Sequence, residues 1–386
     1  MPIPPLTLPV IQNWSCHNCS GCCKQHLIEL SNEERQRITD QNWTATDGIP
    51  DGQPVMEPHA GPPWRKTYRL AHRDDGACVF LNDDGLCRIH AKFGEAAKPL
   101  ACRIYPYAFH PAGRKVTVSL RFSCPSVVSN LGKQVSQNRD ELKQIAKLVV
   151  PENATSVAPP MVTPRESLDW PDILKLVATL DEVIGEGSDR FIKRLFRALF
   201  IVDLLGQAKF DVIRGERLTE LLQIVSTASE DESLPVPIQP GRLALMQFRQ
   251  LVANYARRDT VADLRGGFLG RWKLLRAAMR FTSGKGMIPP LQDCFHEVPF
   301  ESLEHSFGGI PDEADEILTR YFRVKLQGLH FCGRACFDIP FVEGFQSLAL
   351  IVPSVCWIAR WLAVSNERDK WIVEDFKQAL AIADHH

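Results

Sequence analysis

Neither sign of charge prevails in this chain. Its 386 residues carry 45 lysines and arginines against 46 aspartates and glutamates. That balance removes the electrostatic case for nucleic acid or an anionic membrane as partner. The first residues, MPIPPLTLPVIQNW, lack a basic n-region and hold too many prolines for a signal peptide. A clean apolar run of the ~20 residues that a membrane span requires is also missing. The nearest approach, Ser347 to Val364, is interrupted by Pro353 and Arg360 and reads as a buried helix. Phosphate-loop, serine-hydrolase elbow and HExxH zinc motifs are absent, as are internal repeats and low-complexity tracts. After residue 125 cysteine is scarce, with Cys294, Cys332, Cys336 and Cys356 alone. The expected setting is cytoplasmic and reducing, where clustered thiols read as metal ligands rather than disulfides.

What is present is a concentration of thiols. Eight of the twelve cysteines lie before residue 125, four of them in Cys16-His-Asn-Cys19-Ser-Gly-Cys22-Cys23. The spacing C-x2-C-x2-C wraps a short loop around one centre. Bacterial-type ferredoxins use it for three corners of a four-iron (4Fe-4S) cluster, with a later cysteine before proline as a further ligand. Cys124-Pro125 has that form at a much longer separation. Radical S-adenosylmethionine chemistry calls for C-x3-C-x2-C, which this loop is not. Cys22 and Cys23 are neighbours, so their side chains are expected to diverge. Eight thiols then fill two four-coordinate sites, or one cluster with thiols in reserve.

Asn82-Asp83-Asp84-Gly85 is a turn signal that would bring Cys78 and Cys87 together. His90, three residues after Cys87, is a further possible ligand. Pro99 and Pro106 bracket a short rigid element presenting Cys102. The bland reading is eight buried thiols acting as small hydrophobes. Spacing this regular beside Gly and Pro argues instead for metal, and the all-thiolate supply favours iron–sulfur over zinc.

The chain reads as α+β, mainly α. Residues 1–135 form a loop-rich cysteine module, 136–170 a helix and Pro-rich linker, and 171–386 a helical domain. The module's loops are expected to need metal. Ser31-Asn-Glu-Glu34 is a capping box and starts a helix carrying Arg35 and Ile38. Thr67–Ala71 and Val116–Phe122 are short strands, the second with Val116, Val118 and Leu120 on one face. Ile173, Val177, Leu180 and Ile184 share a helix face. So do Phe191, Leu195, Leu199 and Val202, and Ile317, Tyr321 and Val324. Residues 240–258, 264–282 and 369–384 are further helices.

Weaker signals have plain readings. Glu182-Val-Ile-Gly185-Glu-Gly187 loosely matches a cofactor loop, but Gly185 and Gly187 read as helix-end glycines. Cys332 and Cys336 would stand one helical turn apart, more often in a core than at a metal. Asp293-Cys294-Phe295-His296-Glu297 reads as loop. Arg271, Lys273, Arg276 and Arg280 read as a solvated face around a buried stripe of Trp272, Leu275 and Met279.

CHNCSGCC with SNEERQRI behind it resembles the CxxCxxCC family of zinc- or iron-chelating cysteine-cluster proteins. CVFLNDDGLCRIHAKFGEAAKPLACRIYP and SLRFSCPSVV are similar to the flagellin lysine N-methylase branch of that family. The resemblance implies metal ligation by Cys16, Cys19, Cys22, Cys23, Cys78, Cys87, Cys102 and Cys124, through an iron–sulfur cluster or zinc. It also implies methyl transfer from S-adenosylmethionine to a protein lysine. Tyr107 stands where the methylases carry arginine after Tyr-Pro. The competing expectation is a non-enzymatic zinc- or iron-binding protein whose helical part binds another protein. No catalytic or cofactor-binding residue can be named from the sequence.

Overall fold

The computed structural model describes residues 4–62, 65–231, 239–257 and 267–385. It is 52% helix and 11% strand, so helices carry most of the packing, as an α+β, mainly α chain requires. The chain divides into two compact units. One is built on Ser15–Tyr105; the other comprises Met1–Trp14, Pro106–Arg258 and Trp272–His386. This differs from the expected module of 1–135, because residues 106–135 are built into the larger unit.

In the smaller unit the capping box forms as expected. Ser31 Oγ accepts the Glu34 amide at 3.2 Å and a Glu34 carboxylate oxygen accepts the Ser31 amide at 2.9 Å, starting the helix Asn32–Asp40. The strand Tyr68–Leu70 lies between Glu29–Leu30 and Met56–Pro58, all antiparallel. Arg69 and Glu57 are opposite each other in that register and form a buried ion pair at 3.1 Å. Leu30, Ile38, Ile49, Leu70, Val79, Phe80 and Ile89 make a core, and Trp43 packs on Phe80 with ring centroids 4.9 Å apart. The unit therefore has apolar packing of its own, in which Cys78 takes part.

In the larger unit Lys115–Leu120 is the central strand, parallel to Leu6–Thr7 and antiparallel to Tyr107–Ala112. Val116, Val118 and Leu120 are buried as expected, but so are Thr117 and Ser119. The helix Asp312–Gln327 accounts for the second buried face. Thr117 Oγ1 donates to the Gly328 carbonyl at 3.1 Å and Ser119 Oγ to the Val324 carbonyl at 3.4 Å. A Cβ on Gly328 would come within 2.4 Å of Ser119 Cβ, so the approach depends on glycine.

The expected linker is packed structure. Met161–Thr163 pairs with Glu166–Ser167, and Ala154, Val157, Val162 and Leu168 are buried. Its prolines set turns and its apolar residues face the core, so proline content misleads here. Asp169 caps the next helix, Trp170–Gly185, by accepting the Asp172 amide at 3.1 Å. That helix buries Ile173, Val177, Leu180 and Ile184 and ends at Gly185, with Gly187 left-handed at φ 101°.

Helices Phe191–Gln207, Arg242–Ala256, Gly267–Ser283 and Val373–Ala383 stand where periodicity placed them. Residues 264–266, and the side chains of Arg271 and Lys273, lie outside the described residues. Trp272, Leu275 and Met279 correct one expectation. They are about half exposed, and Ala277 and Phe281 supply the buried stripe instead. Phe341–Ser365 is long and apolar enough to cross a membrane, with mean hydropathy 1.7. Yet 61% of its apolar window is buried within the protein, and it is divided at Leu350 into Phe341–Ala349 and Ile351–Ser365. Arg360, which breaks the apolar run, donates to the Leu303 carbonyl at 3.1 Å and lies over the rings of Phe307 and Trp371.

Candidate metal centre

Short elements with special backbone positions present the thiols of the smaller unit. Asn18 and Ser20 are left-handed, at φ 54° and 60°, and turn the chain into the short helix Gly21–Gln25 that carries Cys22 and Cys23. The Asn82–Gly85 turn forms as its residues require. Asn82 Oδ1 accepts the Leu86 amide at 2.7 Å, Leu81 pairs with Cys87, and Gly85 is left-handed at φ 79°. A Cβ on Gly85 would meet the Asn18 carbonyl at 2.6 Å and Ser20 Oγ at 2.9 Å. Glycine at that position therefore lets the Cys78–Cys87 loop lie directly against the Cys16–Cys22 loop. The Cys78 amide donates to the Cys23 carbonyl at 2.8 Å, a second tie between the two motifs. Cys102 is carried by the helix Leu100–Ile104, which begins after Pro99.

Cys23, Cys78, Cys87 and Cys102 border one apolar core, and Cys22 adjoins Cys23. The sulfurs of Cys22 and Cys23 are 3.9 Å apart, which corrects the expectation that these neighbours diverge. They share one turn of a distorted short helix, and both side chains fall on its buried side. A hydrogen bond with Cys23 holds the Cys22 thiol down, to about 6, against the cost of burial, and Lys98 adds to the effect. Cys23 moves up for the same hydrogen bond, then for burial and for the charges of Cys22, Cys78 and Cys87. Burial pushes Cys78 up to about 12, with Cys87 and Cys22 contributing. Cys102 is raised by burial first, then by Cys78, Cys87 and Cys22.

Lys98 carries no spacing signal of its own in Lys98-Pro99-Leu100-Ala101-Cys102, yet it lies beside the thiols. Burial works against the Lys98 charge, but Glu95 at 3.1 Å, helped by the thiols of Cys87 and Cys102, holds it above its ordinary value. It is a cation placed to favour thiolate.

The remaining candidates stand elsewhere. Cys16 and Cys19 are exposed, Cys16 lying 3.8 Å from Asn18 Oδ1. Cys124 belongs to the larger unit, where it is buried at the start of the helix Pro125–Val128. His90 Nδ1 is paired with Glu95 at 2.8 Å on the surface. His72, not predicted, is buried, lies in a backbone bridge with Cys78 and is held below its usual value by burial. Cys332 and Cys336 are not one turn apart on a helix, because Gly333, Phe337 and Asp338 are left-handed and make a tight loop. Among the described residues no three Cys, His, Asp or Glu side chains stand at metal-holding positions. The donor types nonetheless fit a thiolate-bound metal: Cys22 and Cys23 lie side by side near the Lys98 charge, and Cys78, Cys87 and Cys102 border the same core as Cys23.

Residues 15–125 match the CxxCxxCC family, described as "Putative zinc- or iron-chelating domain". Over 120 residues the chain is 27% identical to a lysine-N-methylase of Salmonella choleraesuis and 26% identical to one of Salmonella typhimurium. Each match covers 30% of this chain and 29% of the relative. A 56-residue stretch is 36% identical to the flagellar biosynthetic protein FliU of Salmonella muenchen, covering 14% of this chain and 33% of that protein. The chain thus spans about a third or less of the length of these curated relatives. No solved structure matches it. Over residues 15–125 the chain is similar to the CxxCxxCC family, and a 120-residue stretch is similar to lysine-N-methylases.

Proposed function

We propose that the smaller unit holds an iron–sulfur cluster through thiolates drawn from Cys16, Cys19, Cys22, Cys23, Cys78, Cys87 and Cys102. We propose further that the protein transfers methyl groups from S-adenosylmethionine to a protein lysine. One observation carries the metal reading: the Cys22 and Cys23 sulfurs stand 3.9 Å apart, and Cys23, Cys78, Cys87 and Cys102 border one core. The C-x2-C-x2-C loop adds exposed thiols on a chain segment that Gly85 allows close to this group. The similarity to lysine-N-methylases supports the methyl-transfer part. A cluster with one coordination position open to a non-protein ligand supplies a place for a cofactor to bind. This chain's own residues bind and orient: Cys22 is ready to ligate as thiolate, and Lys98 offsets the accumulated negative charge.

A second reading is favoured by the burial of Cys78 among Val79, Phe80 and Leu70. A metal held there closes the core of the smaller unit, and the protein is then a zinc-stabilised binding protein without catalysis.

Oxygen-free purification followed by elemental analysis and calorimetry separates these readings. Brown protein with iron and sulfide, binding S-adenosylmethionine in wild type but not in Cys22→Ala, is the expected result. Colourless protein with stoichiometric zinc and no cofactor binding supports the second reading. Protein that takes up neither metal after reconstitution refutes both.

A further inference from the structure

The larger unit contains a cavity of about 250 Å³ lined by Arg194, Asp315, Glu316, Thr319, Arg320 and Arg323. Three guanidinium groups meet there, and their partners differ. Arg323 is held in a two-pronged pair by Asp181, at 2.9 and 3.1 Å. Arg194 lies 3.5 Å from Asp315, which also takes Arg190 at 3.0 Å. Arg320 has no carboxylate contact among the described residues. It donates to Gln12 Oε1 at 2.8 Å and to the carbonyls of Val127 and Val128 at 2.8 and 2.5 Å. These neutral acceptors orient the group without neutralising it. Burial accordingly pulls its pKa down to about 10, opposed by the more distant charge of Glu316.

Glu316 is the other member left over. It stands four residues before Arg320 on the same helix, the spacing and order in which glutamate and arginine ordinarily pair. Here they do not, because Arg320 is drawn to Gln12 and the 127–128 carbonyls, and Glu316 remains exposed at the cavity. Arg194 is only 7% exposed and is already held by the Ile184 carbonyl, by Thr319 Oγ1 at 2.9 Å and by Asp315. The cavity thus holds, among the described residues, a cation without a carboxylate partner and an exposed carboxylate without a cation partner.

We propose that this cavity binds a small zwitterion of the α-amino acid class, its carboxylate on Arg320 and its ammonium group on Glu316. A ligand carrying both charges answers both leftovers and keeps the site neutral. The volume, below the range usual for drug-sized ligands, fits a free amino acid or an amino-acid end of a larger molecule. The inference is independent of the metal reading and uses no residue of the thiol cluster.

The test is a thermal-shift and calorimetric screen of the full-length protein against the twenty standard amino acids, with acetate, inorganic phosphate and methylamine as single-charge probes. At least one amino acid is expected to bind and raise the melting temperature, while acetate and methylamine bind at least tenfold more weakly. Glu316→Gln, at an exposed position where folding is not at stake, is expected to weaken the amino acid roughly tenfold or more, as is Arg320→Gln. If phosphate or acetate binds best, and Glu316→Gln strengthens it, the site takes anions and the proposal is overturned. Absence of binding by every amino acid also overturns it.

Discussion

Glu34 uses one carboxylate oxygen to close its own helix cap and the other to accept the Leu100 amide at 2.6 Å. One side chain therefore fastens two helix starts, and the second helix carries Cys102. Glu34→Ala removes an acceptor from both. Losing a capping interaction costs about 1 kcal/mol, and a stranded amide adds a similar amount. We expect Glu34→Ala to destabilise the protein by about 1–3 kcal/mol in urea unfolding. Glu34→Gln, which keeps an acceptor, should recover part of the loss. Unchanged stability in Glu34→Ala would show that the bond to Leu100 carries no weight.

Gly85 decides how closely the two cysteine motifs approach. Its left-handed backbone and the Asn18 carbonyl, 2.6 Å from any added Cβ, leave no room for a side chain. Gly85→Ala should push the Cys78–Cys87 turn away from the Cys16–Cys22 loop. The expected outcome is metal content at least halved after identical reconstitution, with the helical circular dichroism of the larger unit retained. Gly76→Ala is the control. It shares the positive φ, at 78°, but an added Cβ there meets nothing within 4 Å. Equal metal content in both variants would count against the proposed packing of the motifs.

Local signals in the sequence are legible. The Ser31–Glu34 cap, the Asn82–Gly85 turn and the amphipathic faces of the 170–185 and 312–327 helices depend on neighbouring residues, and each formed. What depends on distant partners was not legible. Thr117 and Ser119 look like the solvent side of a strand until the 312–327 helix covers them. The 151–169 segment looks like a linker until Val157, Val162 and Leu168 find the core. Trp272, Leu275 and Met279 form a stripe by spacing, yet the buried contacts go to Ala277 and Phe281. The cysteine pattern points to all eight of Cys16, Cys19, Cys22, Cys23, Cys78, Cys87, Cys102 and Cys124 alike, and the place of Lys98 beside Cys87 and Cys102 emerges only when its surroundings are known.

Asp384 ties the end of the last helix into the larger unit. It accepts from Lys325 at 2.7 Å, from the Tyr321 hydroxyl at 3.0 Å and from the Phe122 amide. Lys325 is 3% exposed, so its charge depends on this partner. Removing one member of a buried pair typically costs about 3–5 kcal/mol, because the other is left uncompensated. Asp384→Ala should fall in that range in urea unfolding. The double variant Asp384→Ala/Lys325→Met should recover much of the loss, since no buried charge remains. Failure of that rescue would mean that the hydrogen bonds to Tyr321 and Phe122, rather than the ion pair, hold the end in place.

Acid should loosen the same region through histidine. His110 and His330 lie with ring centroids 4.9 Å apart beside Lys325 and Arg121. Burial, then the Lys325 charge, pulls His110 down to about 4, and His330 is lowered for the same reasons. Both are neutral in the folded protein, whereas histidine in the unfolded chain protonates near 6.5. Below about 6.5 the unfolded state therefore binds the extra protons, so stability falls as the pH drops towards 4 and is fully present above 6.5. The shift at His110 alone corresponds to roughly 3 kcal/mol across that window. His330 can donate to or accept from Ser119 Oγ at 3.2 Å and faces Lys325 at 3.3 Å, so replacing it disturbs more than titration. Among the described residues His110 Nε2 has no hydrogen-bond partner, which makes it the cleaner site. In urea unfolding between pH 4 and 7, His110→Phe should show a visibly shallower loss of stability with acid than wild type. Identical slopes would show that His110 does not titrate on unfolding in this range.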